Sequence, residues 1–262
     1  MLFDSHAHLN SEKLINNVDE ILMRAKNNGV NKIICVGYDY DSSILAIDLA
    51  NQYDEIYAAI GIHPSEARTF DIDLTWMDKY FSNPKVVAIG EIGLDYYWDK
   101  TYIEEQKQLL INQIKVANKH KLPIIIHMRD ALQDTFEIIK KYKNIEGLGV
   151  MHCYSASKEA MQQFIDLNMY ISLAGPVTFK NARVPKEVAK DVPLNKLLVE
   201  TDSPYLSPEP YRGKTNESKN VLYIAREIAK IKNISLKEVE DKTYFNTCKL
   251  FNINCNEVKW WD

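Results

Sequence analysis

Eight short runs of β-branched and apolar residues recur at near-regular intervals, and no other feature limits the possible folds so strongly. The runs occupy 2–8, 32–37, 56–63, 86–91, 123–127, 149–152, 170–174 and 197–202. Most are apolar almost throughout, as parallel strands buried on both faces are. Their last residues lie 22 to 36 positions apart, and a strand, a helix and two loops together take roughly 30. The stretches between them carry helical periodicity: Ile103, Leu110, Ile114 and Ala117 share one face, and Leu132, Phe136, Ile139 and Tyr142 another. Asn28-Gly29 reads as a helix stop, and Ser235 followed by Glu238 as a capping box. Eight such units predict an α/β fold, the (β/α)8 TIM barrel. An open doubly wound sheet is the alternative, because alternation does not by itself show closure. No linker, charge run or repeat divides the chain, so residues 1–262 are expected to form one barrel domain. The longest irregular stretch, 203–217, follows the last run, and a loop of that length is more often functional than idle.

Composition narrows the class further. Apolar residues make up 46% of the chain, and Gly and Pro number nine each, which excludes a disordered or collagenous sequence. The net charge of −4 excludes a strongly basic nucleic-acid coat and leaves room for a local basic patch. No apolar stretch approaches the roughly 18 residues of a membrane span, and MLFDSHAHLN lacks the pattern of a signal peptide. Cys35, Cys153, Cys248 and Cys255 form no C-x-x-C pair, so buried thiols and a cytoplasmic location are expected.

The chemistry concentrates where the runs end. His6, His8, His63, His127 and His152 all lie at such ends, whereas His120 ends a helix. In a barrel the C-terminal strand ends form the active-site face, so these distant side chains would converge. His6 and His8 are two residues apart, which on a strand turns both imidazoles to one side; H-x-H alone is a weak signal. A carboxylate closing the apolar run 86–90, as Glu91 does, is costly unless paired or metal-bound, and its two oxygens can bridge two cations. One histidine after an apolar strand is usually a hydrogen-bonded core residue, but His127 and His152, at successive strand ends, favour ligation. Glu200 and Asp202 share a face of the last run. Asp202, nearer the mouth, is the better ligand, and Glu200 is placed to orient one. Four histidines and two carboxylates exceed the three protein ligands of a typical single catalytic zinc. They suit two divalent ions (Mg²⁺, Mn²⁺ or Zn²⁺) bridged by one carboxylate.

At these residues the chain resembles the TatD family of metal-dependent deoxyribonucleases, within the amidohydrolase-like barrels. FDSHAHLN, AIGIHP, IGEIGLDYY, PIIIHMRDA, MHCYSAS, VTFKNA and VETDSPYLSPEPYRGKTNES carry the likeness, in order across residues 3–218. The resemblance implies a TIM barrel holding two ions, one on His6, His8, Glu91 and Asp202 and the other on Glu91, His127 and His152, with Glu91 bridging. It implies that His63 contacts the scissile phosphate or its water. It also implies hydrolysis of DNA phosphodiesters, often as a 3′–5′ exonuclease on single strands, and some members are associated with deacylating mischarged tRNA. The chain departs from the family pattern at Ala156, where a glycine is common, and at Ser218, where a proline is frequent.

The expected catalytic residues are thus Asp202, as ligand and general base to a metal-activated water, Glu91 and His63. Arg129 and Arg212, within the motif loops, are expected to hold phosphates flanking the cut. Lys180, Arg183 and Lys214 also follow strand ends, and surface charge explains Lys180 and Arg183 at least as well. Tyr96, Tyr154, Phe179 and Tyr205 lie near the same face and could stack on unpaired bases, although core packing explains any one of them better. The expected partner is DNA, through its single-stranded ends, with no membrane and no obligate protein partner. Two other readings stay open. One is a metal-dependent ester or amide hydrolase such as an aminoacyl-tRNA deacylase, since activated water also attacks carbonyls. The other is a non-catalytic metal- or nucleic-acid-binding barrel, which fold alone does not exclude.

Overall fold

The computed structural model describes residues 1–254. Among the described residues, eight parallel strands follow one another in chain order: β1 (Leu2–Ala7), β2 (Val30–Val36), β3 (Ile56–Ile60), β4 (Val86–Asp95), β5 (Ile124–Arg129), β6 (Gly149–Met151), β7 (Met169–Leu173) and β8 (Leu197–Val199). Helices α1 (Val18–Asn27), α2 (Tyr40–Gln52), α3 (Ile103–His120), α4 (Leu132–Tyr142), α5 (Lys158–Asp166), α6 (Arg183–Asp191), α7 (Val221–Lys232) and α8 (Leu236–Leu250) surround them. The closed alternative therefore holds over the open sheet. No α-helix lies between β3 and β4; that span carries two 3-10 turns, Pro64–Glu66 and Thr75–Lys79. Local side-chain bonds explain this, since Asp73 Oδ1 accepts the Thr75 N–H at 2.8 Å and Thr69 Oγ1 accepts that of Asp71 at 3.3 Å. Such bonds compete with helical ones. At the predicted helix ends, Asn28 caps α1 ahead of Gly29 at φ 78°, and Ser235 accepts the Glu238 N–H at 3.1 Å.

The barrel closes between its last and its first strand. β8 ends at Val199, and the chain beyond it runs on beside β1: Asp202 N–H donates to His6 O at 2.9 Å, and His8 N–H to Ser203 O at 2.7 Å. Lower down, side chains stand in for the ladder. The Asp4 carboxylate accepts the Thr201 N–H at 2.8 Å and the Thr201 hydroxyl at 2.6 Å, while Ser5 Oγ donates to Val199 O at 3.0 Å. Asp4 is fully buried, and burial pushes its pKa up to about 7. This seam fixes the segment that carries Asp202.

Alternation along the strands divides the core in two. Ile33, Cys35, Ala58, Ile60, Ile124, Ile126, Ile171 and Leu173 face outward and pack with helix residues such as Ile114, Ile139 and Ile228. Phe3, Ile34, Val36, Ala59, Ile125, Val150 and Leu198 form an inner cluster, joined by Tyr244 and Cys248 of α8. Tyr244 lies 5.7 Å from the Phe3 ring. Burying each such aliphatic side chain stabilises the fold by about 1.5–3 kcal/mol. Cys35 is a buried free thiol, its pKa raised to about 12 by burial. Cys153 is also free but half-buried, and Cys248 is disulfide-bonded, so the expectation of buried thiols fails there. Cys255 lies outside the described residues. No helix among the described residues is long and apolar enough to cross a membrane.

Candidate metal centre

Inner-facing positions turn from apolar to polar as the strands reach the C-terminal mouth. His127 follows Ile125 by two residues on β5, and His152 follows Val150 just past β6. β4 outruns the predicted strand by four residues, ending at Asp95 rather than Glu91. Gly93 permits that extension: at φ 155° it lies so close to β5 that a Cβ would stand 1.9 Å from His127 O. Asp202 lies beyond β8 rather than on it, with φ 54°. Aspartate tolerates that left-handed conformation better than most residues, and the turn aims its carboxylate inward. His63 likewise lies beyond β3, at the N-terminus of the Pro64 turn.

The structure gathers His6, His8, His63, Glu91, His127, His152 and Asp202 around one carboxylate. Glu91 Oε2 lies 3.5 Å from both His6 Nε2 and His8 Nε2. Asp202 Oδ1 completes this half, 3.4 Å from His8 Nε2 and 3.8 Å from His6 Nε2. Glu91 Oε1 faces the other half, 2.9 Å from both His127 Nδ1 and His152 Nε2 and 3.7 Å from His63 Nε2. The halves touch, because His6, His152 and Asp202 also offer atoms within 4.8 Å of one another, as do His63, Glu91 and His127. His120 is bonded to Asp78 at 2.8 Å, on a helix end as expected.

The outer nitrogens determine what faces inward. His8 Nδ1 lies 2.9 Å from the Val36 carbonyl, a group that only accepts, so that nitrogen carries a proton and in the neutral ring Nε2 offers its lone pair. His127 Nε2 lies 2.9 Å from Asp95 Oδ2, which leaves Nδ1 free to face Glu91. His152 Nδ1 lies 3.2 Å from Glu200 Oε1, which also accepts the Cys153 N–H at 2.7 Å. Glu200 therefore lies against the outer nitrogen of His152, and it follows β8 rather than lying on it. Such outer bonds are the usual support of metal-bound histidines. His63 differs. Its Nδ1 accepts the Ser65 N–H at 3.1 Å, so in the neutral ring Nε2 carries a hydrogen and points it into the site. Burial pushes the His63 pKa down to about 4, keeping the ring neutral.

Inward lone pairs meeting carboxylate oxygens repel unless a cation lies between them. A proton can serve as that cation, and the pKa directions describe that state. Burial opposes charge on Glu91, yet the His152 charge and bonds from His127, His152 and His6 hold its carboxyl well below the usual range. Burial likewise opposes charge on His152, but Glu91 and Glu200 raise it well above the ordinary imidazole value. Burial lowers His6, and against burial the bond to Asp202 and the Glu91 charge raise His8. Ligands about 2.1 Å from one tetrahedral ion lie about 3.4 Å apart, and His6 and His8 lie 3.2 Å from each other and 3.4 to 3.8 Å from the Glu91 and Asp202 oxygens. The donor set fits divalent metal on both sides of Glu91.

The proposed substrate residues lie outside this cluster. Arg129 ends β5, its guanidinium 3.8 Å over the Tyr97 ring and 5.1 Å from that of Trp98. Arg212 lies 4.2 Å over Phe179. Arg183 is exposed and 3.6 Å from Glu187, and Lys180 and Lys214 are exposed, as surface charges are. Tyr154 is buried with its hydroxyl on Ser157 O at 2.8 Å, which removes it as a stacking residue; Tyr205 is 53% exposed and 6.2 Å from His8. Sequence reasoning missed Asp95, Tyr97 and Trp98. The signal for Asp95 was its even spacing from Glu91 on the same strand, hidden because the apolar pattern stops before it.

The model of the TatD-related DNase family matches residues 3–252. The chain is 46% identical to the metal-dependent hydrolase YabD of Bacillus subtilis, over 97% of this chain and 100% of that protein. It is 34% identical to the metal-dependent hydrolase YcfH of Escherichia coli, covering 98% of each. Among solved structures it matches YJJV, a TatD homologue from Escherichia coli, with a TM-score of 0.88 and 27% identity over 97% and 98% of the two chains. A TatD-family hydrolase from Entamoeba histolytica matches with a TM-score of 0.86 and 25% identity, over 97% and 98%.

Proposed function

This chain belongs to the TatD-related DNase family and is a metal-dependent hydrolase, and on that premise we propose that it cleaves DNA phosphodiesters, acting as a 3′–5′ exonuclease on single-stranded ends. The observation that carries the reading is the division of labour at Glu91, whose two oxygens face two separate sets of nitrogen and oxygen donors. His6, His8, Glu91 and Asp202 would hold one divalent ion, and Glu91, His127 and His152 a second. When bound, the ions supply Lewis-acid charge and make water nucleophilic at neutral pH.

The chain's own groups do the rest. Asp202, with Oδ1 3.4 Å from His8 Nε2, accepts the proton that the attacking water loses. Its carboxyl stays ionised for this: burial opposes the charge, but the bond from His8 holds the pKa below the usual value. His63 directs its Nε2–H toward Glu91 Oε1 from 3.7 Å and donates it to a non-bridging phosphate oxygen as charge develops there. Arg129 and Arg212 hold neighbouring phosphates. The enclosed cluster, with His6 fully buried and Glu91 5% exposed, limits water around the reacting phosphate.

The test is cleavage of end-labelled single-stranded DNA by metal-stripped protein resupplied with Mg²⁺, Mn²⁺ or Zn²⁺, beside Asp202→Asn. Metal-dependent shortening from the 3′ end, lost in the variant, is expected. Hydrolysis of aminoacyl-tRNA with every DNA substrate left intact would overturn the reading and move the site to ester chemistry.

A further inference from the structure

Trp98 is 75% exposed and Tyr97 53% exposed, immediately after the mouth end of β4. The two rings meet edge to face at 4.9 Å, and neither is buried enough to explain its presence by core packing. Arg129, on the neighbouring strand, has its guanidinium carbon over Tyr97 at 3.8 Å and 5.1 Å from Trp98. Arg24 pairs with Glu217 at 2.8 Å and Arg183 with Glu187 at 3.6 Å, but among the described residues Arg129 has no carboxylate partner. A guanidinium held over an aromatic ring without a carboxylate partner leaves N–H groups free for phosphate oxygens.

Asp95 ties this group to the metal centre. Its Oδ2 lies 2.9 Å from His127 Nε2, while its Oδ1 accepts the N–H groups of Tyr97 at 2.9 Å and Trp98 at 3.2 Å. Gln106 grips Asp95 from behind, accepting its N–H at 2.9 Å and donating to its carbonyl at 3.1 Å. Tyr96 N–H donates to Arg129 O at 2.9 Å, which fastens the turn to β5. One carboxylate therefore sets both an inward-facing histidine and the turn that presents the two rings.

We propose that Tyr97, Trp98 and Arg129 form a nucleotide subsite beside the metal centre, which stacks an unpaired base and holds its phosphate, with Asp95 as the positioning residue that keeps subsite and His127 in register. The proposal rests on the nuclease reading and names how that site selects its substrate. A base within a duplex has both faces covered by its neighbours, so an exposed indole gains most from a base at a single-stranded or frayed end. Stacking of this kind tolerates any base, so the subsite reads strandedness rather than sequence.

The experiment measures binding and chemistry separately. Mn²⁺-loaded protein is titrated with a fluorescent oligothymidylate carrying phosphorothioate linkages and, in parallel, with a blunt duplex of the same backbone. Trp98→Ala is expected to weaken single-strand binding about tenfold while changing duplex binding much less, and Trp98→Phe to restore most of the loss. Arg129→Ala is expected to weaken single-strand binding and to lower its salt dependence by about one charge. Trp98→Ala binding the single strand as tightly as wild type, or losing duplex affinity equally, would overturn the subsite. Hydrolysis of bis(p-nitrophenyl) phosphate by the wild type is the separate check on the chemistry. If it proceeds while the wild type does not bind single strands, the subsite fails alone; if it is absent with every ion, the nuclease reading fails first.

Discussion

The barrel interior has two floors, and they solve opposite problems. Ile125, Val150 and Leu198 fill the lower floor; two residues higher on the same faces stand His127, His152 and Glu200. Below, side chains satisfy themselves by excluding water, and α8 closes the bottom with Tyr244 against Phe3. Above, groups that are costly to bury are held by one another and by fixed outer partners: Val36 O for His8, Asp95 for His127 and Glu200 for His152. The lower floor supplies stability, and the upper floor spends part of it to keep lone pairs aimed at a common point. Damage to each floor should therefore have a different signature.

The largest expected effect comes from Glu91→Gln, which removes the charge that both halves share. Hydrolysis should fall to background and bound metal should drop, while circular dichroism stays native. Retained activity would remove Glu91 from the centre of the account. On the lower floor, Ile125→Ala should cost about 2–5 kcal/mol of stability in a denaturant titration, through lost burial and the cavity left behind. Metal content per folded chain should be unchanged; loss of metal without loss of stability would erase the distinction between the floors.

A smaller effect is expected from Asp95→Asn, which keeps every donor atom facing the centre but weakens the bond that sets the His127 tautomer. Metal affinity should fall about 10–100-fold, the usual consequence of losing an outer-layer partner, as read by competition with a chromogenic chelator. Unchanged affinity would reduce Asp95 to a turn-forming residue. The smallest effect lies outside both floors. Lys143 donates to Asn144 O at 2.9 Å and Gly147 O at 2.5 Å, and burial, with the nearby Lys196 charge, lowers its pKa from 10.5 to about 8. Between those values the unfolded chain binds more protons than the folded one, so this group makes stability rise with pH from about 8 to about 10.5. Lys143→Met should flatten that component, visible as a smaller difference between urea midpoints at pH 7 and pH 10 than in wild type.

The sequence made the lower floor easy to read and the upper floor only partly so. Apolar runs mark strands wherever both faces are buried, so all eight could be placed. Strand ends could not, because other forces set them. β4 continues to Asp95 only because Gly93 lets it approach β5, and β8 stops at Val199 because Asp4 replaces the ladder bonds at Thr201. The inward-facing donors were legible as polar residues interrupting apolar runs. Their outer partners were not: Val36 contributes a carbonyl, which has no residue signature, and Asp95 lies beyond the apolar pattern. His63 was found for its position but not its geometry, since a bond from the Ser65 backbone decides which nitrogen carries the hydrogen. The exposure of Trp98 is a property of the folded turn and has no counterpart in the sequence.

A crystal structure of the Mn²⁺-loaded protein, with anomalous scattering to locate the ions and metal analysis of the same sample, tests whether Glu91 joins two ion sites. Two ions per chain are expected, one held by His6, His8, Glu91 and Asp202, the other by Glu91, His127 and His152. A single ion, or two ions of which only one touches Glu91, would contradict it.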